Sequence, residues 1–257
     1  MEGIFEKYLQ GKKDLVPIVL IHGDMQNYTS FQRIAEMMSK KGHTTFSFDL
    51  PGHGLSEFSE QTKNLPRFLQ NLIDKNKLEK SIIMGNSSGG ILAVDYAIKT
   101  RNVSGLVLIN SCLSNPKYAN PKINWDEIRD LYENLSKEKF QKQELVDYST
   151  LENPTEEEVR ELGLKTTLFG GLKNNFNFYT SLSENNEVYG LDIPILFITS
   201  EKDPIVPLEY IRNCVTKLKR SRLIEVKEGH NVLVTNPEKI IEILRENYSF
   251  LVGQEAS

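Results

Sequence analysis

The stretch Ser81-Ile82-Ile83-Met84-Gly85-Asn86-Ser87-Ser88-Gly89-Gly90 decides the fold of this chain. A short apolar run ends in Gly-x-Ser-x-Gly, and a helix-compatible segment from Ile91 to Ile98 follows at once. This is the sequence form of a nucleophile elbow, a strained turn between a strand and a helix that lifts a serine hydroxyl above a sheet edge. Side chains at Gly85 and Gly89 would collide with the neighbouring strand or helix. Ser87 is therefore a candidate nucleophile.

The same pattern is also compatible with a glycine-rich turn that joins a strand to a helix and cradles a phosphate. The dinucleotide-binding pattern Gly-x-Gly-x-x-Gly and the Walker ending Gly-Lys-Ser/Thr do not occur in the sequence. The strand–turn–helix context favours the elbow. A base, an acid and donors for an oxyanion then have to be found elsewhere in the chain.

Composition narrows the class of protein. The 257 residues can bury one substantial core, or a core with a modest insertion. The net charge is −4 with both signs interspersed, so we expect no nucleic-acid partner. There is no apolar run long enough for a membrane span, and the polar N-terminus does not resemble a secretory signal.

The cysteines and histidines carry little sign of metal or redox chemistry. Cys112 and Cys214 are the two cysteines, which we expect to be reduced and structural in a cytoplasmic protein. The four histidines show no spacing typical of metal ligands. We expect no metal and no cofactor.

Strand-like and helix-like segments alternate along most of the chain. Continuous apolar or β-branched runs predict buried strands, and amphipathic runs between them predict helices. We expect Ser30 to cap the first helix and Asn236, followed by proline, to cap the last one. The predicted strands are 17–21, 44–50, the run before the elbow, 103–110, 193–199 and 223–226, and the helices are 31–42, 65–77, the elbow helix, 207–218 and one from 236 onward. This alternation predicts a mostly parallel sheet with helices on both faces.

The alternation stops between residues 113 and 191. This part is charged and helix-prone, and it predicts helices at 125–135, 137–148 and 155–168, the last capped by Thr155. We expect residues 113–191 to form a helical lid inserted into one α/β core built from residues 1–112 and 192–257.

Four segments, each at the end of a predicted strand, resemble a lidded α/β-hydrolase over nearly the whole chain. They are Leu20-Ile21-His22-Gly23, Asp49-Leu50-Pro51-Gly52-His53-Gly54-Leu55-Ser56, Gly85-Asn86-Ser87-Ser88-Gly89-Gly90, and Ser200-Glu201-Lys202-Asp203-Pro204 with Glu228-Gly229-His230. The resemblance implies the α/β-hydrolase fold, with the lid placed before the last two strands.

The resemblance also implies a catalytic triad. His230, after the last strand, would accept the proton of Ser87, and Asp203 would orient the imidazole, in the chain order Ser…Asp…His that this fold uses. The alternative for His230 is a histidine of a surface loop. Other carboxylates fit the acid position less well, since we expect Glu201 and Asp192 to be solvated loop charges, and Asp95 on the elbow helix to be a surface group.

The oxyanion hole implied by the resemblance uses two backbone N–H groups. One belongs to Ser88, and the other to Asp24, with Met25 as the alternative. Asp24 departs from many relatives, which have an apolar or aromatic residue here. Its side chain can turn away from the oxyanion, stay protonated or bind a polar group of the substrate, and the sequence leaves all three open.

Two further differences concern the fold. Only about 16 residues precede the His-Gly strand, so we expect the outer edge strand of the family to be missing and residues 4–9 to supply one strand. Asn86, where relatives often have His or Gln, leaves the mechanism intact. We expect His53 to be structural.

The substrate is the least determined feature. A serine triad on this fold favours a carboxylesterase for a small or medium acyl or aromatic ester, with carbon–carbon bond hydrolase, thioesterase and lactonase as alternatives. Four aromatic residues near the end of the lid suggest a partly apolar pocket, or else they pack the lid on the core. They are Phe169, Phe176, Phe178 and Tyr179. A second class of function is a slow sensor that signals through its lid, although no protein partner is indicated.

Overall fold

One seven-stranded sheet organises the part of the chain described by the computed structural model, residues 3–12, 14–59, 62–134, 145–184 and 186–254. The strands lie in the order β1-β3-β2-β4-β5-β6-β7, and β1 alone runs antiparallel to its neighbour. The predicted mostly parallel sheet is confirmed, and residues 6–9 supply the edge strand. The strands are β1 (Glu6–Leu9), β2 (Ile18–Ile21), β3 (Thr45–Phe48), β4 (Ile82–Asn86), β5 (Gly105–Ile109), β6 (Ile195–Ser200) and β7 (Ser221–Val226).

Helices cover both faces of this sheet. Residues alternate along β4, where Ile83 joins one apolar cluster while Ile82 and Met84 join the other. This period of two is expected of a strand that is buried on both sides. The helices are α1 (Gln32–Lys40), α2 (Leu65–Asn76), α3 (Ser88–Thr100), α4 (Pro116–Ala119), α5 (Trp125–Asn134), α6 (Glu156–Lys165), α7 (Phe169–Ser181), α8 (Leu208–Val215), α9 (Val232–Thr235), α10 (Pro237–Glu246) and α11 (Tyr248–Leu251).

Side chains cap the starts of α2, α4, α6 and α10, and one capping prediction from the sequence was wrong. Asn236 caps α10 through Lys239 N, with proline at the first helical position, as predicted. Ser30 does not cap α1. It lies inside a 3₁₀ turn, Tyr28–Phe31, whose cap is Asn27, and its own hydroxyl donates to the carbonyl of Asn27. An Asn carbonyl oxygen and a Ser hydroxyl are comparable caps, so local sequence alone does not separate them.

Between β5 and β6 the described chain contains helices and no strand. Thr155 caps α6 reciprocally with Glu158, as predicted. The helix α7 was not predicted. Phe169, Leu172, Phe176 and Tyr179 repeat at spacings of three and four residues, but the glycines and asparagines between them lower the helix propensity of the segment. The helix predicted at 137–148 falls largely outside the described residues, and its last residue, Tyr148, begins a 3₁₀ turn, Tyr148–Thr150.

No helix in the described ranges is both long and apolar enough to cross a membrane.

Candidate active site

The elbow lies at the carboxyl end of β4, the third strand from one edge of the parallel part of the sheet. Ser87 has φ 49° and ψ −122°, a backbone conformation that residues other than glycine rarely adopt. Added Cβ atoms at Gly85 and Gly89 would overlap main-chain atoms of α3 and of β2 respectively. The predicted steric role of both glycines is confirmed, since they allow α3 to start directly against the sheet.

Hydrogen bonds to the end of β5 hold this strained turn in place. Ser87 N donates to Ile109 O at 3.0 Å, and the Ser111 hydroxyl donates to Ser87 O at 2.7 Å. Asn86 Nδ2 also donates to Ile109 O, at 3.0 Å. The end of β5 therefore holds both the strand residue before the serine and the serine backbone itself, which is how such strain persists in a folded chain.

Ser87, His230 and Asp203 form a continuous line of hydrogen bonds. Ser87 Oγ lies 3.0 Å from His230 Nε2, and His230 Nδ1 lies 2.7 Å from Asp203 Oδ2. The other carboxylate oxygen of Asp203 accepts from the backbone N–H of Ile205 at 2.8 Å and of Val206 at 3.0 Å. The Asp203 side chain is fully buried. The structure therefore brings these three residues, which are distant in sequence, into one hydrogen-bonded unit.

The environment of His230 favours its protonated form. Burial alone would lower the pKa of the imidazole, but the charge and hydrogen bond of Asp203 outweigh it, with smaller contributions from the carboxylates of Glu156 and Asp24. The pKa of His230 is therefore raised above its usual value of 6.5. A base with a raised pKa accepts a proton readily and stabilises the imidazolium that forms.

Asn110, which the sequence analysis did not single out, links the loops that carry the acid and the base. It is fully buried just after β5, with φ 45°. Its side-chain oxygen accepts from Ser200 N at 2.7 Å, three residues before Asp203. Its Nδ2 contacts Ser200 Oγ at 2.9 Å, His230 O at 2.8 Å and Gly229 O at 3.1 Å. A polar residue directly after a buried parallel strand was the available signal.

Glu156 is a second residue that the sequence analysis missed. It is the first residue of α6, and its carboxylate accepts from Asn231 N at 3.0 Å and from Asn231 Nδ2 at 2.7 Å. Asn231 follows His230 directly, so this contact fixes the loop of the histidine to α6. The capping Thr155 could have pointed to this end of the helix, but no local pattern indicates its partner.

The carboxylate of Asp24 is hydrogen-bonded to neighbouring residues of the site and does not turn away from it. Its Oδ1 accepts from the Ser88 hydroxyl at 2.9 Å and from Asn175 Nδ2 at 2.8 Å. The backbone N–H groups of Asp24 and Ser88 have no hydrogen-bond partner among the described residues. Met25, the alternative donor, has φ 59°, and its carbonyl accepts from the Tyr148 hydroxyl at 2.9 Å.

A cavity of about 380 Å³ opens over Ser87 and His230. Most of its wall is apolar, and Tyr179 is the only one of the four aromatic residues noted near residues 169–179 that lines it. Phe176 is instead 1% exposed within the core, which favours packing as the role of that residue. The apolar and aromatic wall includes Ile91, Ile123, Trp125, Ile128, Val159 and Val206.

The other titratable residues near the sequence motifs lie outside the cavity, either buried in the core or exposed to solvent. His53 is fully buried, does not line the cavity, and burial lowers its pKa. Burial likewise lowers the pKa of His22 to about 3, and its Nε2 accepts from Leu50 N at 2.9 Å. Glu201 and Asp192 are exposed, as expected. Asp95 is not the surface group that we expected, because it is 6% exposed and pairs with Lys99 one helical turn later.

A parallel sheet with a serine on a strained strand–helix turn, in line with an imidazole and a carboxylate, is the arrangement of an α/β-hydrolase enzyme. Residues 16–157 match the family described as "alpha/beta hydrolase fold", and residues 179–249 match the one described as "TAP-like protein". The chain belongs to the α/β-hydrolase fold family.

Relatives within the family are distant. The chain is 22% identical to the AB hydrolase superfamily protein YisY of Bacillus subtilis, over 90% of each chain. It is 28% identical to the putative esterase/lipase 2 of Mycoplasma pneumoniae over 96 residues, which are 35% of this chain and 36% of that protein. An esterase structure from Exiguobacterium antarcticum superposes with a TM-score of 0.77 at 19% identity, covering 95% of this chain and 94% of that one. At this identity the structural likeness concerns the fold.

Proposed function

We propose that this chain is a serine carboxylesterase that acts on esters with a small or medium acyl or aromatic group. The observation that carries the proposal is the hydrogen-bonded line from Ser87 through His230 to Asp203 beneath a largely apolar cavity. Similarity to proteins named as esterases supports the same class of substrate. A cavity of about 380 Å³ fits a compact substrate.

In the proposed reaction, Ser87 Oγ attacks the ester carbonyl while His230 Nε2 takes the serine proton. Asp203 keeps the proton on Nδ1 and stabilises the imidazolium, since its Oδ2 lies 2.7 Å from that nitrogen. The imidazolium then gives its proton to the leaving alcohol, which leaves an acyl group on Ser87. Water activated by His230 hydrolyses this acyl-enzyme, and the serine regains its proton.

The backbone N–H groups of Ser88 and Asp24 are the proposed donors to the oxyanion. Both are without a hydrogen-bond partner among the described residues, so they are available to the negative charge that develops on the carbonyl oxygen. Each donor of this kind lowers the barrier by about 3 kcal/mol. Because both are amides of the backbone, they stay in place without reorganisation.

We further propose that residues 113–191 act as a lid over the core formed by residues 1–112 and 192–257. Side chains on α5, α6 and α7 line the cavity opposite Ser87, which supports this division. Both cysteines are buried free thiols, as expected in the reducing cytoplasm, which is the proposed location.

The test is a panel of p-nitrophenyl esters from acetate to decanoate, assayed with the wild type, Ser87→Ala and Ser181→Ala. Ser181 is exposed and does not line the cavity, so its variant is the matched control. We expect turnover of the shorter esters, a loss of at least about 10³-fold in Ser87→Ala, and no change in the control. A fluorophosphonate should label the wild type and the control but not Ser87→Ala.

Labelling of Ser87 without turnover of any ester would contradict the esterase and favour a narrow non-ester hydrolase or a sensor. Absence of labelling at Ser87 would contradict the activated serine itself.

A further inference from the structure

Asp24 lines the cavity of the proposed esterase, and one of its carboxylate oxygens has no hydrogen-bond partner among the described residues. Its Oδ1 is held by Ser88 Oγ at 2.9 Å and by Asn175 Nδ2 at 2.8 Å. Its Oδ2 has no hydrogen-bond partner among the described residues. Two donors on one oxygen offset part of the negative charge and fix the side chain, which leaves the second oxygen free to accept from a substrate.

The other charged groups that line the cavity are already engaged. Glu156 accepts from Asn231, and Glu157 forms an ion pair with Arg160. His230 is hydrogen-bonded to Asp203 and Ser87. Among the described lining residues, Asp24 is therefore the carboxylate that has a free acceptor and no cation paired with it, and the single cationic side chain, Arg160, forms an ion pair with Glu157.

The position of this carboxylate indicates where a substrate group would meet it. The backbone of Asp24 and that of Ser88 supply the two proposed oxyanion donors, and Ser88 also binds the Asp24 side chain. The carboxylate thus lies beside the site of the carbonyl oxygen, where an uncompensated negative charge would oppose the developing oxyanion. A cationic group on the carbon next to the carbonyl would remove that opposition.

Resting on the proposed esterase, we propose that Asp24 selects esters that carry a protonated amine next to the reacting carbonyl. Such an ammonium donates to Asp24 Oδ2 and cancels the repulsion between the carboxylate and the oxyanion. The aromatic side chains of Trp125 and Tyr179 in the same cavity add faces that attract a cation. Neutral esters are slower substrates, and esters with an anionic group in that position are excluded.

The experiment compares three methyl esters of nearly the same shape. Glycine methyl ester carries an ammonium at about pH 7, methyl propanoate carries a methyl group there, and monomethyl malonate carries a carboxylate. Methanol release gives kcat/KM for the wild type, Asp24→Asn, Glu161→Gln and Ser87→Ala. Asparagine keeps the shape of Asp24 and the oxygen that accepts from Ser88 and Asn175. Glu161→Gln removes an exposed carboxylate of α6 that does not line the cavity.

We expect the glycine-to-propanoate ratio of kcat/KM to fall by about tenfold or more in Asp24→Asn, since a hydrogen bond to a charged group is lost. Comparing variants cancels the intrinsic reactivity of the esters. Glu161→Gln keeps the wild-type ratio. Monomethyl malonate is the poorest of the three substrates for the wild type.

A ratio that stays the same in Asp24→Asn, or that falls equally in Glu161→Gln, overturns the selection by Asp24 while leaving the esterase intact. Wild-type turnover of malonate as fast as that of propanoate overturns it as well. Failure of the wild type to hydrolyse any of the three esters in a Ser87-dependent way overturns the inference, and the esterase falls with it when the p-nitrophenyl esters are not hydrolysed either.

Discussion

The proposed nucleophile and its acid–base partners are held in place by different kinds of contact. Ser87 lies on a turn whose shape depends on two glycines within two residues of it, Gly85 and Gly89. Asp203 and His230 lie on loops, and the side chain that links those loops, Asn110, is 90 and 120 residues away from its partners. The elbow is thus a local structure, whereas the acid–base half depends on long-range hydrogen bonds.

This difference predicts how a substitution in each half of the site affects the stability and the activity of the protein. A change in the elbow alters backbone packing, and therefore stability and activity together. A change in the acid–base half can leave the fold intact and misplace two side chains, since its hydrogen bonds join the segments that follow the strands at the carboxyl edge of the sheet. The variants below test this distinction.

Gly89→Ala should have the largest effect. The new Cβ would overlap main-chain oxygens of Ile21 and His22, which belong to the sheet and cannot rotate away. We expect the free energy of unfolding to fall by about 3 kcal/mol and ester hydrolysis to be lost. Urea denaturation and the ester assay measure the two effects.

Gly190→Ala is the control for that substitution. A Cβ at this exposed residue meets only the end of the Arg101 side chain, at 4.0 Å. We expect its free energy of unfolding to stay within about 0.5 kcal/mol of the wild type. A Gly89→Ala protein with normal stability and activity would contradict the steric account of the elbow.

Asn110→Asp should have the next largest effect, and mainly on activity. An aspartate has the shape of asparagine, but its second oxygen would face the carbonyls of Gly229 and His230 instead of donating to them. The loops of Asp203 and His230 would shift relative to Ser87, and a displacement of about 1 Å costs about 10²-fold in rate. We expect this loss in kcat, with a smaller change in KM.

Asn247→Asp separates positioning from general stability. Asn247 is also buried, and its Nδ2 donates to Ile243 O at 3.0 Å, but it lies outside the cavity. Both variants should lower the melting temperature, and only Asn110→Asp should lower kcat. Equal kcat losses in the two would show that Asn110 acts through stability alone.

The same distinction explains what the sequence could and could not predict. The elbow, the parallel sheet and the strand ends were predictable because glycine spacing and apolar runs are local signals. The side chains predicted for the site lie within hydrogen-bond distance of one another, because parallel strands bring their carboxyl ends to the same edge. This applies to Ser87, Asp203 and His230.

The residues that were missed share a dependence on distant partners. Asn110 and Glu156 look like ordinary polar residues at a strand end and a helix start, and only the folded chain brings them to the loop of His230. Asp95 was misplaced for a different reason. Its partner Lys99 lies only one helical turn later, but the sequence does not show that α3 is covered on nearly all sides, which is what buries Asp95. Local pattern does not contain this information.

Glu156→Gln should have the smallest effect, and on pH dependence more than on rate. Its carboxylate helps to raise the pKa of His230, whereas its oxygen also accepts from Asn231 N, a contact that glutamine can keep. The reaction needs neutral His230, so kcat/KM falls as the pH drops through the pKa of the free enzyme. Removing the negative charge lowers that pKa, and the acidic limb moves to lower pH. We expect a shift of less than about one unit, because Asp203 contributes most of the stabilisation. In Glu161→Gln, which removes an exposed carboxylate of the same helix outside the cavity, the limb should stay in place, and a shift toward higher pH in Glu156→Gln would contradict the assigned role of its charge.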